Sequence, residues 1–204
     1  MNIRQLNALI LLADGNLRNI ASIAKNCTDC FIEIAGSQKE CAIGKNILNV
    51  LLGECSSLKS FSWDCALGDF EYWEFNLCHL PPSLVNLTIT ADCFTIAANL
   101  FTQLPHLEEL IIGPAKINGI IDHLPNSVRV VKLYSNFQFA PNLFEGLNSP
   151  SELRIHNALV SENATIIKLP ISLEVLSIFS HVTLDYSSLN ELNRLKYLHI
   201  YPVK

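Results

Sequence analysis

The sequence predicts an α/β solenoid: stacked units with a parallel β-sheet along one face and helices or 3₁₀ turns along the other. Three observations predict it. The first is a six-residue apolar spacing. Leu84-x-x-Leu87-x-Ile89 returns as Leu107-x-x-Leu110-x-Ile112, Val128-x-x-Val131-x-Leu133, Leu173-x-x-Leu176-x-Ile178 and Leu195-x-x-Leu198-x-Ile200, and with one substitution as Pro150-x-x-Leu153-x-Ile155. The second is the period. The starts 84, 107, 128, 150, 173 and 195 lie 21 to 23 residues apart, a spacing that marks stacked supersecondary units. The third is composition: half of the 204 residues are apolar and 16% are charged, enough apolar surface for an ordered core.

Taken in order, the chain opens on Leu6-x-x-Leu9-x-Leu11, a complete hexad. Leu17, Ile20, Ile23 and Ala24 then share one helical face. Asp29-x-x-Ile32-x-Ile34 reads as a second hexad with two of its three apolar positions kept, which turns Glu33 and Ala35 outward. Ile47, Leu48, Val50, Leu51 and Leu52 make a dense apolar turn that Gly53 can stop. Leu58-x-x-Phe61-x-Trp63 is a third hexad with aromatic replacements. The hexads from Leu84 to Ile200 follow. Their connections at Ile96–Phe101, Ile117–Ile121, Asn142–Leu147 and Ser187–Leu192 read as helical or 3₁₀ turns, because few residues are available. The whole chain, 1–204, reads as a single domain of about nine repeats, irregular over 1–79 and regular over 80–204.

A second regularity precedes the strands. Leu80-Pro81, Leu124-Pro125 and Leu169-Pro170 place a leucine four residues before the first apolar position, whereas Leu104, Leu147 and Leu192 stand three before it. The two kinds alternate, so the larger unit is a pair of about 44 residues. Proline ends the preceding turn and brings no N–H that would be left unpaired. In each hexad the second and third apolar residues are two apart and share one side of a strand. One unit cannot bury that side alone; its neighbours do.

Charge and motifs exclude several classes. A net charge of −5 argues against nucleic acid, which needs a clustered basic surface. The seven cysteines all lie in the first half, odd in number and without framework spacing, which fits reduced thiols in a cytosol-like compartment. Ala8–Ala13 is too short to span a membrane, and no Ala-x-Ala-like cleavage site follows it. The Asn-x-Thr triplets at Asn26, Asn86 and Asn163 read as unused. Cys27-Thr28-Asp29-Cys30 with Cys41 as a third ligand falls short of the four that a structural zinc site needs, since no close histidine follows before His79. Gly36 through Asn46 has the wrong glycine spacing for a phosphate loop. The six histidines show no metal-ligand spacing, and no Gly-x-Ser-x-Gly element holds a nucleophile. No cofactor and no enzymatic activity is expected.

These hexads resemble a leucine-rich repeat protein over nearly the whole chain. The Leu-Pro-x-Ser phrasing at 80–84, 124–128 and 169–173 looks like the FNIP-like subtype, and the short array is similar to leucine-rich repeat effectors of intracellular bacteria. Asn136 alone supplies the asparagine expected three residues after the last strand leucine; Asp92, Ala115, Ala158 and His181 replace it elsewhere. The resemblance implies a leucine-rich repeat solenoid with its sheet on the concave face and helices or 3₁₀ turns on the convex face. It also implies that the concave sheet binds a partner. Strand alternation then turns the residues flanking the last apolar position toward that partner. In the last four repeats these are Lys132, Tyr134, Arg154, His156, Phe179, His199 and Tyr201, with Tyr197 one row over.

Aromatic rings and arginine dominate binding energy in protein interfaces, which makes these eight residues the expected partner-binding site. The expected function is recognition of another protein in the cytoplasm of the producing cell or of a host, as an inhibitor or adaptor of an enzyme. Alternatives are the substrate-recognition arm of a ubiquitin ligase, against which the missing Leu-Pro-x-Glu opening counts, and a self-associating structural protein joined at an exposed edge strand.

Overall fold

The apolar hexads form one long parallel sheet. The structure, a computed structural model, describes residues 27–34, 52–53, 55–65, 75–77, 79–90, 94–134, 137–156, 159–160, 165–166, 168–180, 183–184 and 186–202. The expected first hexad at Leu6 and the helical face from Leu17 to Ala24 lie outside these residues. Eight strands make the main sheet: β1 (Asp29–Ile34), β2 (Ser60–Cys65), β4 (Asn86–Thr90), β6 (Glu109–Ile112), β9 (Val130–Leu133), β11 (Glu152–His156), β14 (Val175–Ser180) and β16 (Tyr197–Pro202). They lie side by side in chain order and every pair is parallel. The molecule is therefore a β-solenoid.

The register aligns the hexads in columns. Cys30, Phe61, Leu87, Leu110, Val131, Leu153, Leu176 and Leu198 form one. Ile32, Trp63, Ile89, Ile112, Leu133, Ile155, Ile178 and Ile200 form the next. This corrects the second hexad, which is Cys27-x-x-Cys30-x-Ile32 and not Asp29-x-x-Ile32-x-Ile34. Cys27 and Cys30 are buried where later units place leucine. Phe31 and Glu33, in place of Glu33 and Ala35, occupy the outward positions, paired with Ser62 and Asp64. The Cys-x-x-Cys spacing is thus a piece of repeat. Burial, with the neighbouring Cys27 and Cys55 thiols, pushes the Cys30 thiol up to about 12, so it stays protonated and packs as a small apolar group.

Strand entry repeats one backbone device. The carbonyl after each first apolar residue accepts two N–H groups from the next strand. Lys59 and Ser60 donate to Thr28, Val85 and Asn86 to Lys59, and Glu108 and Glu109 to Val85. The pattern continues through Glu108, Arg129, Ser151 and Glu174 as acceptors. The two alternating corners meet the same need. The N–H of the first apolar residue bonds to Cys55, Leu104 or Leu192 in one kind and to Pro81, Pro125 or Pro170 in the other. The Leu-Pro-x-Ser corners add a hydroxyl. Ser83, Ser127 and Ser172 each donate, at 2.7 Å, to the carbonyl of Leu58, Leu107 or Pro150 one unit earlier.

Opposite the main sheet, short parallel ladders close the core. β3 (Phe75–Leu77), β5 (Phe94–Ala97) and β7 (Lys116–Asn118) form one; β8 (Ile120–Ile121), β10 (Gln138–Phe139) and β12 (Leu159–Val160) a second; β13 (Thr165–Ile166) and β15 (Thr183–Leu184) a third. Leu77, Ile96 and Ile117 align and are buried, as do Ile121 and Phe139. The expected turns fare unequally. 3₁₀ helices occupy Ala98–Gln103 and Tyr186–Glu191, close to two of the four expected positions. Asn142–Leu147 is a run of separate turns. Ile117–Ile121 is two short strands, because β-branched isoleucines favour extended backbone and Gly119, at φ 94°, breaks the run between them.

Candidate functional site

On the main sheet, residues between the core columns face away from the core, and their character changes midway. From β1 to β6 this face carries Asp29, Asp64 and Glu109 among Ser60, Ser62, Asn86, Thr88 and Thr90, with Phe31 and Ile111 as its apolar members. These polar groups partly serve one another, as where the Asn86 amide donates to Ser60 Oγ at 3.4 Å. From β9 to β16 it carries Lys132, Arg154, His156 and His199 with Tyr134, Phe179, Tyr197 and Tyr201; Glu152 is the acid among them.

Gly113 sits at the boundary. A Cβ there would lie 3.0 Å from Thr90 Cα, so a side chain at this point would need Thr90 to give by a few tenths of an ångström. The aromatic column starts on the next strand.

That column is continuous. Tyr134 and His156 meet edge to face with centroids 5.0 Å apart, His156 and Phe179 lie at 5.8 Å, and Phe179 and Tyr201 at 5.1 Å. The parallel register causes this, since equivalent residues recur every ~4.8 Å across strands. His199 joins Tyr201 at 4.6 Å and Tyr197 at 6.2 Å. Phe179, Tyr197 and Tyr201 are 40%, 46% and 52% exposed, so the ladder is a surface feature.

Beside the rings lies a charged triad. Glu152 accepts from Arg154 Nε through one oxygen and pairs with Lys132 Nζ at 3.3 Å through the other. Burial pushes the Glu152 carboxyl up, but the hydrogen bonds and charges of Arg154 and Lys132 outweigh it and hold the carboxyl below its ordinary value. Two cations around one anion leave the triad net positive.

The Arg154 guanidinium reaches across β14 toward β16, where its central carbon lies 5.7 Å from the Tyr197 ring centroid. On the intervening β14, Val175 pairs with Tyr197 and Ser177 with Arg154; Ser177 is 3% exposed, with its hydroxyl 3.3 Å from His156 Nε2. Ser177 is not among the sequence candidates; its signal is being small between Arg154 and His199 in the register. Burial, then the charges of Arg154 and His199, hold the His156 imidazole below its ordinary 6.5. The fold favours neutral His156, and that share of stability is lost as pH falls below the ordinary value.

All eight sequence-predicted residues therefore lie on one face across four adjacent strands, with Glu152, which the sequence already sets beside them as a partner for Arg154, and with Ser177 added by the geometry. Among the described residues, no group of three or more His, Cys, Asp or Glu is placed to hold a metal ion, and no helix is long and apolar enough to cross a membrane. Fold and face together define a parallel β-solenoid with an aromatic and cationic patch on its sheet. Comparison with protein-family models, curated proteins and solved structures gives no match.

Proposed function

We propose that this solenoid is a recognition module of the leucine-rich repeat kind, which binds a partner protein through the outer face of β9, β11, β14 and β16. The observation that carries the reading is the exposed ring ladder running from Tyr134 to Tyr201. A β-solenoid needs no aromatic residues on its solvent face, and exposed rings beside an arginine are what interfaces concentrate. As an inhibitor or adaptor, the module would cover or recruit an enzyme in the cytoplasm, with no chemistry of its own.

The test is affinity capture with the wild type and a Tyr134→Ala, Arg154→Ala, Tyr201→Ala variant. Recovery of the principal partner is expected to fall by at least about tenfold, since single anchors of this type often contribute more than that. Equal recovery of the same proteins would place recognition elsewhere.

A second reading, self-association, has its own observation. Leu198 is 51% exposed although Leu176 beside it in the same core column is fully buried. β16 forms the edge of the main sheet, and an open edge with an apolar side chain invites pairing. Light scattering is expected to show a dimer that dissociates with Leu198→Asp. A monomer at all concentrations rules this reading out.

A further inference from the structure

The charge arrangement around Arg154 narrows the partner's chemistry. Arg154 spends only Nε on Glu152; among the described residues its two terminal amino groups have no hydrogen-bond acceptor. Both Glu152 oxygens are occupied, one by Arg154 and one by Lys132, so the acid cannot also satisfy the terminal groups. The guanidinium is held at two points, by Glu152 at Nε and by the Tyr197 ring at 5.7 Å. An arginine fixed in this way presents a planar pair of donors whose ordering cost is already met, the geometry that accepts a carboxylate through two parallel bonds. Exposed apolar rings, Phe179 and Tyr201, lie two columns along. Without a counter-anion the triad keeps its excess positive charge on a chain whose net charge is −5.

We infer that, on the recognition face proposed above, the partner's anchoring group is an aspartate or glutamate carboxylate seated on the Arg154 terminal amino groups, with an adjacent apolar side chain on the Phe179–Tyr201 rings. The complement is a short acidic and apolar surface segment. A basic partner segment would meet Lys132 and Arg154 with like charge.

The probe is a capped leucine–glutamate–leucine tripeptide, compared with its glutamine isostere and with inorganic phosphate at constant ionic strength. Binding is followed by NMR at the Arg154 side-chain nitrogens and the Phe179 and Tyr201 ring protons. The glutamate peptide is expected to half-saturate these shifts at a concentration roughly tenfold below the glutamine peptide, the step a charge-assisted pair supplies. That advantage disappears in Arg154→Gln and is only partly restored in Arg154→Lys, which keeps the charge and loses the paired donors.

Equal titration by the two peptides, shifts confined to other residues, or no shift at tens of millimolar peptide each overturn the inference. So does phosphate binding tighter than the glutamate peptide, which would make this a phosphate site. The capture experiment separates the two failures. A partner lost with the triple variant but indifferent to Arg154 alone sinks the carboxylate anchor and leaves the recognition face standing. A partner retained by the triple variant sinks both the recognition face and the anchor, even where the wild type binds the glutamate peptide.

Discussion

Replacing Trp63 by alanine is expected to lower the unfolding free energy by about 3–5 kcal/mol, the usual cost of emptying a large aromatic site in a core. Trp63 is fully buried on β2, aligned between Ile32 and Ile89. It is the largest side chain of its column, so neighbours on β1 and β4 can refill little of the space. Ordinary domains have about 5–15 kcal/mol of stability in total, and urea unfolding will register the loss directly. A solenoid contacts itself only through adjacent units. Hydrogen exchange should therefore accelerate first from β1 to β4 and last at β14. A loss below about 1 kcal/mol, or exchange that quickens uniformly, would show that the stack does not transmit packing in this local way.

The second large effect is expected on the opposite wall. Phe139 is buried in β10, 5.7 Å from Phe137 and 5.6 Å from Phe144 between ring centroids. Phe139→Ala should also cost about 3–5 kcal/mol. A double-mutant cycle with Phe144→Ala should return a coupling of roughly 0.5–1.5 kcal/mol, the range for aromatic pairs in contact. Strict additivity would mean that the three rings merely share a region. Since Trp63 and Phe139 lie in separate parts of the stack, their two losses should add.

What the sequence disclosed follows from what repeats. The hexads were legible because each core column demands the same apolar residue type every 21 to 23 positions from Leu84 onward. The hexad of unit two lies two positions earlier than apolar spacing predicts, because Cys27 and Cys30 fill leucine sites with small thiols while Ile34 gives a false match. The serine bonds from Ser83, Ser127 and Ser172 were written plainly, one residue before each hexad, but only the backbone shows that an orphan carbonyl waits one unit back. The short ladders of the opposite wall stayed hidden, since strands of two or three residues are too brief to show a period.

The candidate site divides the same way. Strand alternation alone puts Lys132, Arg154, His156 and Tyr201 on one face. That Arg154 lies over the Tyr197 ring depends on side-chain torsions, which spacing does not encode.

The midway change of character on the main sheet has a further consequence for encounter. Asp29, Asp64 and Glu109 occupy one half, and Lys132 and Arg154 with Glu152 the other. Five strand spacings of ~4.8 Å, from β1 to β11, set Asp29 and Arg154 about 24 Å apart. In dilute buffer such a separation of opposite charge is an electric dipole, and its torque turns an approaching protein before any atoms touch. At physiological salt the screening length is about 8 Å, far shorter than the sheet, so each half is felt alone. For a partner of the proposed recognition face, docking speed should then depend on ionic strength more steeply than residence time does, because the torque acts on approach and short-range contacts act afterwards.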